Sequence, residues 1–146
     1  MAGNLLLPAA ILILWSMIVL LYMTALRLPA LRAARSHMRS APKGARYQDI
    51  EQYIPAKVNW PSHNYTHLLE QPTIFYPAVI LLHLSGANDA MNVALAWAYV
   101  VLRIVHSLWQ IFFNGIPLRM TLFAVSSLCL LALAIRCTYS VLMFTV

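Results

Sequence analysis

The sequence predicts an all-α integral membrane protein folded as an up-down four-helix bundle. Three observations predict it. First, 62% of the 146 residues are hydrophobic and only 10% are charged, with a mean hydropathy of +0.72, a balance that excludes an ordinary water-soluble domain. Second, four apolar stretches reach or approach the roughly 20 residues a helix needs to cross a bilayer: Leu5 to Leu26, Leu68 to Leu84, Met91 to Phe113 and Thr121 to Phe144. Third, the last three stretches are joined by short turns, which make consecutive helices antiparallel neighbours. The length allows one domain, 1–146.

The first helix is expected over about 5–27. It has no basic leader, and its apolar run is too long for the core of a signal peptide, so it reads as a retained transmembrane helix. Pro29 is expected to stop it near Arg27. A basic loop follows over about 28–61, broken by Pro42 and Gly44. Seven of the ten Lys and Arg residues lie in or beside it: Arg27, Arg32, Arg35, Arg39, Lys43, Arg46 and Lys57. By the positive-inside rule this loop is cytoplasmic, as is the turn holding Arg119, and both termini face outward. The charge has two readings, a device that only sets topology or a holder of anionic lipid headgroups. No aromatic residues interleave with it in a nucleic-acid-binding pattern, so nucleic acid is not an expected partner.

The second helix is expected over about 63–84, interrupted by Pro72 and Pro77. Ser85 to Asp89 forms an outer turn, with Asp89 starting a third helix over about 89–113. Asn114 to Pro117 forms an inner turn before the fourth helix, about 119–144. Cys129 and Cys137 lie eight residues apart on that helix. Two turns of helix separate them by about 12 Å, beyond disulfide reach, and they read as small buried hydrophobes.

The informative residues are the polar ones inside the apolar stretches. A charge at the centre of a spanning helix costs about 2.5–3.5 kcal/mol on insertion scales. On the third helix Arg103, His106, Gln110 and Asn114 fall within an arc of roughly 80°, and Tyr99 joins them one turn earlier. Such a stripe must face protein or water rather than lipid. On the second helix His67 and Glu70 share a face. Arg103 can snorkel toward the level of Glu70, and Arg119 stands at the inner mouth of the fourth helix. Two readings are open: a Glu70–Arg103 ion pair locking two helices, or a polar pocket for a charged ligand that also uses Arg119, His106 and Gln110. His37 and His83 read as solvated or capping, and Arg136 as snorkelling to headgroups. His67 and His106, on adjacent helices, are the one pair that could serve as axial haem ligands; no metal site is expected.

Two segments carry a resemblance. The run His67-Leu68-Leu69-Glu70-Gln71-Pro72-Thr73-Ile74-Phe75-Tyr76-Pro77 resembles the second-helix signature of the MAPEG family, membrane-associated proteins in eicosanoid and glutathione metabolism, in its bacterial-type form. The segment Ala96-Trp97-Ala98-Tyr99-Val100-Val101-Leu102-Arg103-Ile104-Val105-His106-Ser107, with Asn114 and Arg119 after it, resembles the third-helix signature and following turn. The resemblance implies a homotrimer in the bacterial inner membrane, with glutathione bound between subunits in the cytoplasmic half of the bilayer. It implies that Glu70 holds the glutathione amino group and that Arg103 pairs with a glutathione carboxylate or with Glu70. Arg119 matches the arginine that stabilises the thiolate in prostaglandin E synthase-like members, and Arg27 corresponds to a further family arginine. His106, His67, Gln110 and Tyr99 complete the expected substrate-binding set.

The implied activity is glutathione-dependent transfer to, or peroxide reduction of, lipophilic molecules entering from the bilayer. A thiol with an ordinary pKa near 8.5 needs a fixed cation to be a thiolate at neutral pH. There are departures. His67 stands where Asn is usual, Gln110 replaces a Tyr, and Met120 and Phe123 stand where synthase-like members carry Ser and Tyr. These losses keep a second reading open, a non-catalytic lipid-binding or scaffold subunit of a larger membrane complex.

Overall fold

The computed structural model describes residues 4–144, the side chain of Tyr47 excepted. Helix α1, Leu6–Ala33, carries the apolar N-terminal sequence and does not stop at Arg27. Pro29 removes one backbone donor and crowds the carbonyl four residues back, yet the flanking Ala30, Ala33 and Ala34 favour helix strongly enough to carry the chain through it. Ala34, at φ −83° and ψ 12°, then separates α1 from the short α2, Arg35–Ser40. The segment expected as a loop is therefore largely helical. It breaks at Ala41, held extended before Pro42, and at Gly44, whose φ of +88° favours a residue without a Cβ.

Helix α3, Tyr47–Ile50, and a 3₁₀ turn, Glu51–Tyr53, lead into α4, Ala56–Glu70. The second expected span is divided between α4 and α5, Pro72–Leu84. Gln71 between them keeps helical angles, φ −62° and ψ −38°, so the interruption comes from the backbone donor that Pro72 lacks rather than from a bend. At the end of α5, Gly86 donates to the His83 carbonyl at 3.1 Å and Ala87 to the Leu82 carbonyl at 2.9 Å. With Gly86 at φ +75° this is the paired bonding of a Schellman stop.

Asp89 then caps α6, Ala90–Phe112, accepting from the backbone N–H of Met91 at 3.0 Å and Asn92 at 3.1 Å. Asn114, at φ 54°, turns the chain into α7, Ile116–Phe144. The Trp109 ring closes over this turn, its Nε1 donating to the Gly115 carbonyl at 3.0 Å.

Helix α6 packs most extensively against α7 and also meets α1 and α4; α1 lies against α4, and α5 against α7. Leu12, Phe75, Leu82, Val100 and Leu133 are fully enclosed at the centre. Among the described residues three helices, α1, α6 and α7, are long and apolar enough to cross a membrane. Leu14, Leu21, Leu128 and Ile135 on their outer faces are more than half exposed, an apolar surface suited to hydrocarbon rather than water. Cys137 is buried and Cys129 partly so, and both are free thiols.

Candidate functional site

The α6 stripe faces inward: Tyr99, Arg103, His106, Ser107 and Gln110 are all buried. At one end of the bundle it meets the end of α4 and the start of α7. There α4 ends, and its last carbonyls lack helical partners. Thr73 Oγ1 supplies one donor, to the Glu70 carbonyl at 2.5 Å, and Arg103 Nη2 supplies another, to the His67 carbonyl. The negative end of the α4 dipole thus receives the guanidinium. Its Cζ lies 5.7 Å from the centroid of the Phe123 ring on α7, within cation–π range.

This arrangement differs from the expected ion pair. Among the described residues Arg103 has no carboxylate partner; the Glu70 carboxylate sits 2.9 Å from His67 Nδ1 on its own helix and is exposed. The reason is local. Glu70 and His67 face outward one turn apart, whereas Arg103 approaches the α4 backbone from inside. Arg103 is 1% exposed, and its Nε and Nη1 have no hydrogen-bond partner.

Beside this guanidinium is a cleft of about 300 Å³ lined by His67, His106, Arg119, Met120, Phe123 and Ala124. His106 stands edge to face with His67, ring centroids 6.2 Å apart, and tilts against Phe123 at 6.3 Å. Arg119 is half-buried and held by Asn114, whose Oδ1 accepts from its Nη1 at 2.7 Å. The left-handed turn at Asn114 therefore also aims the cleft's cation.

The remaining expected residues lie elsewhere. Arg27 lines a second cleft of about 440 Å³ with Glu51, Ser62, His63 and Tyr65, and donates to Ser62 Oγ. His67 belongs to both clefts. Tyr99 is fully enclosed, stacked on Phe75 at 4.5 Å, with a hydroxyl that has no partner. Gln110 is enclosed too, its Oε1 unpaired. Neither lines a cleft.

The structure adds residues that sequence reasoning passed over. Ser107 Oγ accepts from Asn64 Nδ2 at 2.6 Å and from Trp15 Nε1 at 3.0 Å, tying α1, α4 and α6 together directly behind His106. Gln71 Nε2 donates to Ser127 Oγ at 2.7 Å, tying the α4–α5 junction to α7. A signal existed: Asn64 and Ser107 are polar residues three before His67 and one after His106, in segments where polar groups are costly.

Taken together these features define a helical membrane protein with a cationic, histidine-walled cleft at one end of its bundle. The chain belongs to the MAPEG family, whose model matches residues 5–139. No curated protein and no solved structure matches it.

Proposed function

We propose that the cleft binds glutathione and that the protein couples its thiolate to, or uses it to reduce, lipophilic electrophiles drawn from the bilayer. On this reading α4 and α5 cross the membrane as one interrupted span, the fourth of the bundle, and the chain assembles as a homotrimer in a bacterial inner membrane with the cleft toward the cytoplasm. The observation that carries the proposal is the enclosed Arg103 guanidinium with two unsatisfied donor nitrogens beside a cleft walled by Arg119. Native interiors rarely leave such donors unpaired, and an anion is what would pair them. The cleft volume of about 300 Å³ stands at the lower end of the usual range for small-molecule sites, about 300–1,000 Å³.

In this scheme His67 meets a glutathione carboxylate at the cleft wall, and Arg103, enclosed behind it, draws that carboxylate by its charge and donates to it once the covering side chains part. Glu70, exposed beside His67, takes the amino group. Arg119 faces the sulfur and favours the thiolate over the thiol, the proton leaving to water. As a transferase, the sulfur forms a bond to carbon while the electrophile's leaving group departs. As a peroxidase, two glutathione molecules are oxidised to the disulfide while one hydroperoxide is reduced to an alcohol and water. Arg27, on the adjoining cleft, contributes charge next to His67 or to a neighbouring subunit.

The test is a titration of glutathione into the detergent-purified protein, followed by thiolate absorbance in the near ultraviolet. A saturable signal at neutral pH, absent with S-methylglutathione, is expected; no signal and no conjugation with the oligomer intact would overturn the proposal. The apolar α7 wall of Met120, Phe123 and Ala124 offers no hydroxyl donor, and that favours a second reading, a non-catalytic lipid-binding or scaffold subunit. Under that reading the cleft retains lipid through purification and glutathione fails to displace it.

A further inference from the structure

The longest run of unpaired charge lies on the helical segment beyond Pro29. Ala34, at φ −83° and ψ 12°, separates α1 from α2; it donates to the Ala30 carbonyl at 3.0 Å and accepts from Met38 at 3.2 Å, so the two helices meet at this one residue. Arg35 and Arg39 share one face of α2 a turn apart, and Arg32 ends α1 just before the junction. His37 lies on the opposite side, where its ring stacks on Tyr53 with centroids 4.2 Å apart and planes 17° from parallel. That contact fixes which face of α2 meets the rest of the loop, and it turns the Arg35 and Arg39 guanidinium groups outward. All three arginines are exposed.

Among the described residues no acid neutralises them. The chain has four carboxylates, and each is engaged elsewhere: Asp49 accepts from the Arg46 backbone, Glu51 pairs with His63, Glu70 with His67, and Asp89 with Arg136. A role limited to setting topology needs cations on one side of the membrane but not a shared helical face. We propose that Arg32, Arg35 and Arg39 form a docking face for anionic phospholipid headgroups of the leaflet from which α1 emerges. Position and charge select this occupant. The row lies at the end of the 28-residue apolar helix α1, and Leu28, 49% exposed, stands one turn before Arg32 toward the acyl region.

Native mass spectrometry of the full chain in mixed micelles of phosphatidylglycerol and phosphatidylcholine tests this. The wild type is expected to retain phosphatidylglycerol preferentially, less so as salt is raised. Each cation near an anionic surface contributes about five-fold, so the triple variant Arg32→Gln, Arg35→Gln, Arg39→Gln is expected to lose roughly ten-fold or more of that preference. The matching triple lysine variant keeps it, which separates loss of charge from loss of fold. Inorganic phosphate displaces no more lipid than chloride at equal ionic strength. Equal retention of both lipids, an unchanged preference in the Gln variant, its loss in the Lys variant, competition by inorganic phosphate, or tighter binding of a single-stranded oligonucleotide than of phosphatidylglycerol would each overturn it. Glutathione binding is expected to survive in the Gln variant, so this test fails or succeeds independently of the cleft.

Discussion

Two arginines of this chain interrupt apolar helices, and they are solved differently. Arg136, toward the far end of α7, donates through Nη2 to Asp89 at 2.9 Å and through Nε to Asn92, with 41% of its side chain exposed. Asp89 and Asn92 in turn cap the start of α6, so the cation completes a helix terminus. Arg103 is enclosed, has no carboxylate, holds one backbone carbonyl, and leaves two nitrogens unsatisfied. The first arrangement is finished by the chain itself and is structural. The second is left unfinished by the described side chains, which is why the proposed function rests on the end holding Arg103 and Arg119.

The sharpest way to break this contrast is at Arg119. Arg119→Ala is expected to lower kcat/KM for glutathione conjugation by about 10²–10³-fold, the cost typical of removing one donor to a developing or stabilised anion, with the oligomer intact by size exclusion. Unchanged turnover would reassign Arg119 to fastening the α6–α7 turn through Asn114. Next in size is Arg103→Met. Hydrogen bonds to charged groups are worth about 1.5–3 kcal/mol, so glutathione affinity is expected to fall by about 30-fold in calorimetry. The melting midpoint stays level or rises, because an under-paired buried cation is exchanged for a methionine that packs. A large drop in melting temperature would show that Arg103 is structural after all.

Arg136→Met should do the reverse. It is expected to leave glutathione affinity unchanged and to lower stability by about 1 kcal/mol, as befits a half-exposed ion pair that also supports a helix cap. The smallest effect concerns the same pair. Desolvation pushes the Asp89 carboxyl upward, but hydrogen bonds from Asn92 and Met91 and the Arg136 charge outweigh it, leaving it below its usual value of 3.8. A depressed carboxylate stabilises the fold above the unfolded-state value and loses that contribution as pH falls through the folded one. Stability should therefore be flat above about pH 4 for this group and decline below it. Asp89→Asn should decline less over the same acid window in thermal melts.

Much of this was legible in the residues. The apolar stretches, the α6 stripe and the capping role of Asp89 follow from period and composition, because a helix carries its spacing and its terminal hydrogen bonds locally. The MAPEG resemblance was carried by His67 to Pro77 and by Ala96 to Ser107, and the family match spans residues 5–139. The end of α1 was not legible. Pro29 is locally a stop signal, and only the summed propensity of the alanines around it carries the helix to Ala33.

Partners across helices were the least legible. Glu70 and Arg103 have complementary charge and comparable depth, yet a one-turn difference in facing sends Glu70 to His67 and Arg103 to a backbone carbonyl. Ser107, whose polarity the sequence shows but whose partners it does not, becomes the acceptor that joins Asn64 and Trp15. The sequence by itself determined that the chain is helical, that its surface suits a bilayer, and that polar groups must be hidden inside it, because each follows from local spacing and transfer cost. Which hidden groups satisfy one another, and which are left with donors to spare, was decided only by the tertiary structure, since hydrogen bonds are short and directional and their partners here lie up to 92 residues apart along the chain.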